Sequence, residues 1–251
     1  MSTDKHWEKW GKTSPYYGVV SWPEFKEPEL STDAKQQFFE GGELYVSGMF
    51  NAIHRHLNPE FRADWAADFG CGVGRLIMPL SRRVKSAVGI DVSPSMLEEA
   101  ARNVTREGIR NVEFVLSNDA LTDLHGMFDL INSYIVFQHI PVERGMKLAE
   151  ALLSHLSPGG IAVLHFTYDC NATRLTHTIS WTRDHFAPAH WLANLARGRP
   201  MLEPTMQMNA YNVNRLLGLF RRCGIEKLHA EFTDHGAHGI QFFLLKAGAA
   251  Q

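Results

Sequence analysis

Cysteine and long apolar runs are both scarce in this chain of 251 residues. Its three cysteines, Cys71, Cys170 and Cys223, are far apart and form no CxxC pair, which excludes a disulfide-bonded scaffold and favours a reducing compartment. No apolar run approaches the roughly 18 residues that a transmembrane helix needs. The N-terminal stretch MSTDKHWEKWGK lacks the apolar core of a signal peptide. The sequence therefore predicts a cytoplasmic protein without a membrane span.

An excess of positive charge is also missing. The chain has 25 basic and 27 acidic side chains, a formal net charge of −2. This balance provides no general attraction to a phosphate backbone and argues against a nucleic-acid partner. Hydrophobic residues make up 45% and charged residues 21%, which are ordinary values for a globular enzyme-sized domain and exclude a disordered chain.

The first 60 residues differ from the rest. Residues 1–30 show no clear period and are interpreted as an irregular arm, whereas residues 31–60 have helical periodicity, with Gly41-Gly42 predicted to break the helix into two pieces. We interpret residues 1–60 as an N-terminal arm with helices that either packs on the domain or closes over a site as a lid. The aromatic residues of this arm are Trp7, Trp10, Tyr16, Tyr17 and Trp22.

Residues 61–251 form one predicted domain, in which short apolar strands alternate with amphipathic helices. This alternation predicts a mostly parallel sheet with helices on both faces. Residues 168–207 interrupt it and are interpreted as a cap insertion. The last two predicted strands, 225–232 and 240–245, are separated by a short loop and are expected to pair antiparallel. The other predicted strands are 64–69, 86–90, 112–116, 128–134 and 161–166, and the predicted helices are 75–83, 93–107, 142–156 and 212–223.

A glycine-rich turn carries the strongest chemical signal. The stretch Asp68-Phe69-Gly70-Cys71-Gly72-Val73-Gly74 follows a predicted strand and precedes a helix. Glycines there allow a tight turn and a close approach of the backbone to a ligand. Asp91 ends the next strand, where a carboxylate can accept hydrogen bonds from both ribose hydroxyls of a nucleoside. Together these features predict a nucleoside-containing cofactor.

These motifs resemble those of the class I S-adenosylmethionine-dependent methyltransferases of bacteria that act on small molecules. ADFGCGVGRL is similar to their first motif, VGIDVSPSML to the acidic loop, SNDA to the end of the third strand, FDLINSYIVFQHI to the fourth motif, and LSPGGIAVLHF to the fifth strand. The resemblance covers about residues 65–166. It implies a doubly wound, Rossmann-like, seven-stranded α/β sheet, mostly parallel with an antiparallel last strand; the sequence pattern adds the N-terminal helical arm and the cap insertion.

The same resemblance implies a set of residues that bind S-adenosyl-L-methionine. The glycine loop would hold the methionyl part, Arg75 would meet its carboxylate, and Asp91 would bind the ribose. Residues after the second and third strands would lie at the adenine, Ser133 and Gln138 would flank the cofactor after the fourth strand, and aromatic residues of the arm would cover the cofactor. The full set is Asp68, Gly70, Cys71, Gly72, Gly74, Arg75, Asp91, Val92, Met96, Asn118, Asp119, Ala120, Ser133 and Gln138, with Trp10 and Tyr17 from the arm.

Methyl transfer to a hydroxyl calls for a general base, and histidine is a suitable one near pH 7. His139 follows the fourth strand, at the end of the sheet where ligands bind in open α/β folds, and is the first candidate; packing against a loop is its alternative role. His235, in the turn between the last two strands, is the second candidate. His177, His185 and His190 lie in the cap insertion, but their spacing matches no zinc motif, so no metal is expected.

The acceptor is interpreted as a small molecule, most simply a hydroxyl of a sugar or glycan precursor. Trp181 and Trp191 of the cap insertion could stack on a sugar, or could anchor the cap or a homodimer. Three alternatives stay open: N-methylation of a secondary-metabolite amine, a nicotinamide-dependent oxidoreductase, and a cofactor-binding protein without turnover. A base-amine methyltransferase of nucleic acids is disfavoured, because Ser133-Tyr134-Ile135-Val136 stands where that class carries an Asp/Asn-Pro-Pro-aromatic motif.

Overall fold

A computed structural model of the chain describes residues 3–26, 30–169, 206–234 and 237–248. The described residues contain one seven-stranded sheet in the order β3-β2-β1-β4-β5-β7-β6. β1 to β5 are parallel, and β7 is antiparallel to both β5 and β6. The strands are β1 Trp65–Phe69, β2 Ser86–Asp91, β3 Val112–Leu116, β4 Phe128–Ser133, β5 Leu156–Asp169, β6 Ile225–Asp234 and β7 His238–Lys246.

Helices follow most strands, as the alternation in the sequence predicted. They are α1 Thr3–Thr13, α2 Pro15–Val19, α3 Thr32–His56, α4 Ile77–Ser81, α5 Pro94–Arg106, α6 Val142–Ser154 and α7 Val213–Arg222. Two apolar clusters cover the two faces of the sheet; one includes Phe137, Leu152 and Phe166, and the other includes Ile53, Ile77 and Phe243. The predicted doubly wound fold and the antiparallel final pair are confirmed. None of the described helices is long and apolar enough to span a membrane.

The N-terminal arm departs from the prediction for residues 1–30, because residues 3–19 are almost entirely helical. Trp10, Tyr16 and Phe25 of the arm are buried with Phe38 and Met96 in a third apolar cluster. These buried residues lie on separate short elements and not on one long amphipathic helix, so the sequence shows no single hydrophobic period. The arm is thus part of the domain's packed structure.

The predicted break at Gly41-Gly42 is wrong, since α3 is continuous through both glycines. A Cβ at Gly42 would overlap the carbonyl oxygen of Arg75, and one at Gly41 would lie 2.8 Å from the Arg75 guanidinium. The two glycines therefore allow α3 to pack directly on the segment after β1. A glycine pair inside a helix here reflects close packing and not a helix end.

β5 begins earlier than expected, at Leu156, so it includes the whole predicted turn Ser157-Pro158-Gly159-Gly160. Phe128 of β4 pairs with Leu156, but Leu130 pairs with Ile161, so the chain bulges between the two pairs. Gly159 has φ +76°, a conformation that glycine adopts readily. The residues that the sequence pattern predicted as a turn thus form a bulge inside β5.

Candidate active site

The glycine loop after β1 is approached closely from two sides. Gly70 and Gly72 have φ values of +78° and +52°. A Cβ at Gly72 would lie 2.5 Å from a methyl group of Val19 on α2, and one at Gly70 would overlap Val136. Only glycine satisfies both the positive φ and this space.

The carboxylate of Asp91, at the end of β2, is bound to this loop. It accepts the backbone N–H of Gly72 and the backbone N–H of Ser93, each at 2.9 Å. Burial raises the pKa of Asp91, and these two hydrogen bonds oppose that rise. Each carboxylate oxygen keeps a lone pair for a further donor. The sequence placed the loop and Asp91 in one site, and the structure brings them into direct contact.

A cavity of about 120 Å³ lies at the carboxyl ends of β1, β2 and β4, where open α/β sheets bind ligands. Pockets for drug-sized ligands usually measure roughly 300–1,000 Å³, so this cavity is closed down around a smaller space. The arm forms one side of it. Its lining consists of Thr3, Asp4, Trp7, Gly18, Val19, Phe69, Gly70, Gly72, Asp91, Val92, Met96, Ser117, Tyr134, Ile135, Val136, His139, Ile140, Arg144 and Leu148.

The residues predicted after β3 lie at the rim. Ser117 lines the cavity, whereas Asn118, Asp119 and Ala120 are exposed and outside the lining. The Asn118 side chain accepts the backbone N–H of Ala120 at 3.1 Å, which folds this segment into a turn. Of the segment after β3, therefore, Ser117 and not these three residues is placed to contact a ligand in the cavity.

Asp68 and Arg75 lie behind the glycine loop and do not line the cavity. Asp68 accepts the side-chain amide of Asn132 at 2.7 Å, and its other carboxylate oxygen has no hydrogen-bond partner among the described residues. Burial raises the pKa of Asp68 to about 7. Arg75 donates to the carbonyl oxygen of Phe38 at 3.1 Å. Other predicted residues outside the lining are Cys71, Gly74, Ser133 and Gln138.

The segment after β4 carries backbone strain that the sequence does not reveal. Ile135 has φ +59°, a region that β-branched residues rarely occupy because the side chain crowds the backbone. This conformation places Tyr134, Ile135 and Val136 along the cavity. Sequence reasoning missed all three as lining residues, since a positive φ is invisible without a glycine or asparagine.

His139, the first candidate base, lines the cavity. Its Nδ1 lies 2.7 Å from the carbonyl oxygen of Gln207; a carbonyl only accepts, so Nδ1 carries the proton. Nε2 therefore holds the lone pair of the neutral ring and faces the Gln138 amide nitrogen at 3.2 Å. Trp7 packs edge-on against the ring with centroids 4.9 Å apart. The arm and the candidate base are thus in contact.

Trp7 and Val19 are the large arm residues that line the cavity, whereas the sequence pointed to Trp10 and Tyr17. Trp10 is 3% exposed and packs on Tyr17 at a centroid distance of 5.3 Å. Both belong to the third apolar cluster and stand outside the lining. Trp7 lies one turn before Trp10 on α1 and is the tryptophan that reaches the cavity; this difference could not be predicted in a segment that was interpreted as irregular.

Two polar contacts hold the arm over the cavity. Glu8 of α1 accepts the hydroxyls of Ser93 and Ser95, each at 2.8 Å, at the start of α5. Burial opposes ionisation of Glu8, but these hydrogen bonds and Lys12 outweigh it and lower its pKa to about 2. Arg144 of α6 binds Asp4 at 2.6 and 3.0 Å.

Arg144 also binds Asp119 at 2.6 Å. It therefore joins the arm to the turn after β3 across the cavity mouth. Sequence reasoning missed Glu8 and Arg144, because the contacts that join them to other elements, with Ser93, Ser95, Asp4 and Asp119, span more than 20 positions of the chain. The second candidate base, His235, and the cap residues Trp181 and Trp191 lie outside the described residues.

Part of the chain that lines this cavity is similar to known proteins. Residues 66–160 match a family described as "Methyltransferase domain". A curated relative, the 23S rRNA (uracil(1939)-C(5))-methyltransferase RlmD of Mannheimia succiniciproducens, is 47% identical over 104 residues, which are 41% of this chain and 23% of that protein. The first four such relatives are matched over 12–30% of their own length.

Solved structures share the fold over nearly the whole chain. Magnesium protoporphyrin IX methyltransferase from Synechocystis, with bound S-adenosylmethionine, has a TM-score of 0.60 at 14% identity and covers 98% of both chains. The N-methyltransferase NodS from Bradyrhizobium japonicum, in complex with S-adenosylhomocysteine, has a TM-score of 0.59 at 11% identity and covers 98% of this chain and 99% of that chain. At sequence identities this low, the structural similarity establishes the fold alone.

Proposed function

We propose that this chain, which carries a methyltransferase domain of the class I fold, transfers a methyl group from S-adenosyl-L-methionine to a hydroxyl of a small-molecule acceptor. The observation that carries the proposal is the cavity at the carboxyl ends of β1, β2 and β4, where the glycine loop, Asp91 and His139 meet. The matched family and the solved structures support the cofactor. The acceptor rests on the chemistry of this chain's own residues.

The residues present fit that cofactor. Gly70 and Gly72 present backbone without a side chain to the cavity, and Asp91 lines it with lone pairs suited to ribose hydroxyls. The buried Asp68 oxygen, which has no hydrogen-bond partner within the described part of the chain, could accept a hydrogen bond from an additional donor behind the loop. Val92 and Met96 offer an apolar wall for an aromatic base. When bound, the cofactor supplies a methyl group on a sulfonium, which is already electrophilic, so the protein needs no covalent nucleophile.

The chain's residues then have three tasks. The loop, Asp91 and Ser117 hold the donor, and holding donor and acceptor in line can lower the barrier by several kcal/mol. Trp7 and Val19 of the arm exclude water from the cavity. His139 accepts the proton of the acceptor hydroxyl at Nε2, while its Nδ1–H stays bound to the Gln207 carbonyl and keeps the ring oriented. Gln138 must release Nε2 for this step.

The cavity limits the acceptor to a group that can reach His139 past the arm. We favour a sugar or glycan precursor, which is supported by the polar and tryptophan-containing composition of residues 168–207. NodS, which shares the fold, is an N-methyltransferase, so an amine is the competing acceptor. The RNA-methyltransferase relatives are 25–47% identical to this chain over 51–140 residues. They raise RNA as a further acceptor to be tested.

Mass spectrometry of acceptor pools tests the proposal. The purified chain would be incubated with S-adenosylmethionine carrying a deuterated methyl group and, separately, with soluble sugars and glycan precursors, with small amines, and with ribosomal RNA. We expect the labelled methyl group on a hydroxyl of a compound in the first pool. Label on an amine or on RNA would overturn the hydroxyl acceptor but keep the transferase. No label in any pool, with cofactor binding intact, would indicate a binding protein without turnover.

A further inference from the structure

A second group of chemically active side chains lies outside the cavity, between α3 and the edge strand β6. His56 is the last residue of α3, and His229 and Glu231 lie two positions apart on β6, so both point to the same face of the strand. One ligand atom from each of the three residues lies within 4.8 Å of the other two. None of the three lines the proposed cofactor cavity.

The two imidazole rings have an unusual arrangement. The rings of His56 and His229 are stacked, with centroids 3.8 Å apart and planes 9° apart. The stacking keeps one nitrogen of each ring within 4.8 Å of a nitrogen of the other. The Glu231 carboxylate lies 3.1 Å from Nε2 of His229 and places a negative charge beside the pair.

We propose that His56, His229 and Glu231 bind one Zn²⁺ ion that fastens β6 to the end of α3. Two imidazole nitrogens and one carboxylate oxygen form a ligand set that zinc uses in proteins, with the fourth position taken by water. Zinc–ligand distances of about 2.0–2.2 Å require ligand atoms roughly 3.5 Å apart, so the cluster closes by about 1 Å on binding.

The surroundings allow this closure. The Glu231 side chain is 46% exposed and can rotate at little cost. A metal ion binds an imidazole nitrogen in the plane of the ring, so one of the stacked rings must tilt, and His56 can do so because it lies at the end of its helix. An adjoining groove of about 300 Å³, which His56 and Glu231 border, gives room for a water ligand. Arg55 also borders the groove and is exposed, which leaves its charge in solvent.

The site has a structural consequence for β6. This strand is at the edge of the sheet, and most of its residues are exposed. Next to the cluster, the Lys227 ammonium donates to the carbonyl oxygen of Leu57, just after α3, at 3.1 Å. A metal ion would add a second and stronger link at the same place. Sequence spacing could not reveal the site, because 173 positions separate His56 from His229.

Zinc titration of the full chain, prepared without an affinity tag and freed of metal, tests the proposal. Competition with a chromophoric chelator should show one site in the wild type. His56→Ala, His229→Ala and Glu231→Gln should each lower the affinity by at least roughly 10–100-fold, the loss typical even of residues that only support a ligand. His54→Ala is the matched control, since His54 lies on the same helix and its Nε2 bonds the Phe61 carbonyl instead.

Thermal unfolding with and without Zn²⁺ gives an independent readout. Zinc should raise the unfolding temperature of the wild type and of His54→Ala, but not that of the His56→Ala/His229→Ala variant, whose folding in the absence of metal is checked by circular dichroism. Glu231→Gln covers the case in which the double variant does not fold, because its side chain is largely exposed. Absence of zinc binding by the wild type, or equal binding by Glu231→Gln, would overturn the proposal.

Discussion

The Asp91 carboxylate accepts the backbone N–H of Gly72 at 2.9 Å, so the acid at the end of β2 fixes the glycine loop at the end of β1. The same carboxylate lines the cavity. One side chain thus shapes the loop and, in the proposed function, also provides the acceptor atoms for the cofactor ribose. This double role makes Asp91 the most informative residue to replace.

Asp91→Ala should weaken binding of S-adenosylmethionine by roughly 1–3 kcal/mol, because the ribose hydroxyls lose charged acceptors. It should also lower the free energy of unfolding, since Gly72 and Ser93 lose the acceptor of their N–H groups. Isothermal calorimetry and urea unfolding measure the two effects. Asp123→Ala, an exposed acid outside the cavity, is the control. Unchanged cofactor affinity in Asp91→Ala would place the ribose site elsewhere.

Periodicity and turn signals predicted most of the strands and their order along the chain, because burial in a parallel sheet imposes a recognisable pattern. They failed where close packing decides the outcome. Glycine has a low helix propensity, so Gly41-Gly42 indicates a helix break. α3 nevertheless continues through both residues, and the absence of their side chains leaves room for Arg75. The arm lacks one period because its residues pack as short separate elements.

The candidate site was predictable to the extent that local motifs mark it. Asp91 and the glycine loop were found from the sequence, since their chemistry depends on neighbouring residues. Trp7, Glu8 and Arg144 were missed, because their roles arise from contacts between distant elements. The strained φ of Ile135 has no sequence signal at all.

Gly42→Ala and Gly48→Ala should have opposite effects on stability. Alanine is normally better than glycine inside a helix by about 0.5–1 kcal/mol, and a Cβ at Gly48 meets nothing within 4 Å. A Cβ at Gly42 overlaps the carbonyl oxygen of Arg75, and overpacking of this kind costs typically about 1–3 kcal/mol. Urea unfolding of both variants measures the difference. Stabilisation by Gly42→Ala would contradict the close packing of α3 on this segment.

Arg144→Ala should loosen the arm. Arg144 holds Asp4 of the arm and Asp119 of the turn after β3, so its loss frees α1 at the cavity mouth. Hydrogen exchange of the α1 amides should accelerate by roughly 1.4- to fivefold, given that an ion pair of this kind contributes about 0.2–1 kcal/mol. Arg215→Ala removes a more exposed pair with Glu143 and serves as the control.

Cofactor kinetics provide the second test of the arm. The cavity of about 120 Å³ is smaller than a nucleoside cofactor needs, so we expect the arm to move for the cofactor to enter. Arg144→Ala should then raise both the association and the dissociation rate constants in stopped-flow measurements. Equal rates in the wild type and the variant, together with unchanged exchange of α1, would show that the arm is not a moving lid.

Asp68→Asn should stabilise the chain without cofactor, in a pH-dependent way. Burial raises the pKa of Asp68 from 3.8 to about 7, so the folded state holds a proton that the unfolded state has lost between these pH values. The wild type therefore loses stability from this group as the pH rises from about 4 to 7, and the loss is complete above 7. At about 1.4 kcal/mol per pKa unit, the variant gains at most roughly 4 kcal/mol at pH 8.

Urea unfolding at pH 5 and pH 8 measures this gain as the difference between variant and wild type, which should be larger at pH 8. Asp64→Asn, an exposed acid paired with Lys85, should show no such increase. Cofactor binding should weaken in Asp68→Asn, since the charged oxygen behind the loop is lost. If the difference in unfolding free energy between Asp68→Asn and the wild type is the same at pH 5 and pH 8, the pKa of Asp68 is not raised by burial.

His139 is the proposed general base, and its replacement tests the hydroxyl acceptor most directly. His139→Ala should lower the rate of methyl transfer by about 10²–10⁴, the usual contribution of general base catalysis. His139→Gln should restore little, because an amide orients a hydroxyl but takes no proton from it. The wild-type rate should fall in acid as the imidazole takes up a proton, and both variants should lose that acidic limb. Cofactor affinity, measured by calorimetry, should change little by comparison.

The alternative acceptors predict a different pattern for the same variants. An amine is nucleophilic once neutral and needs only to be held in line, so His139→Ala would then keep most of its rate. If His139→Ala is active and His235→Ala is not, the base lies in the turn between β6 and β7. If the double variant is also active, no histidine base takes part. The acid limb of the profile would then follow the acceptor's own amine, and it would shift when the acceptor is changed but not when His139 is.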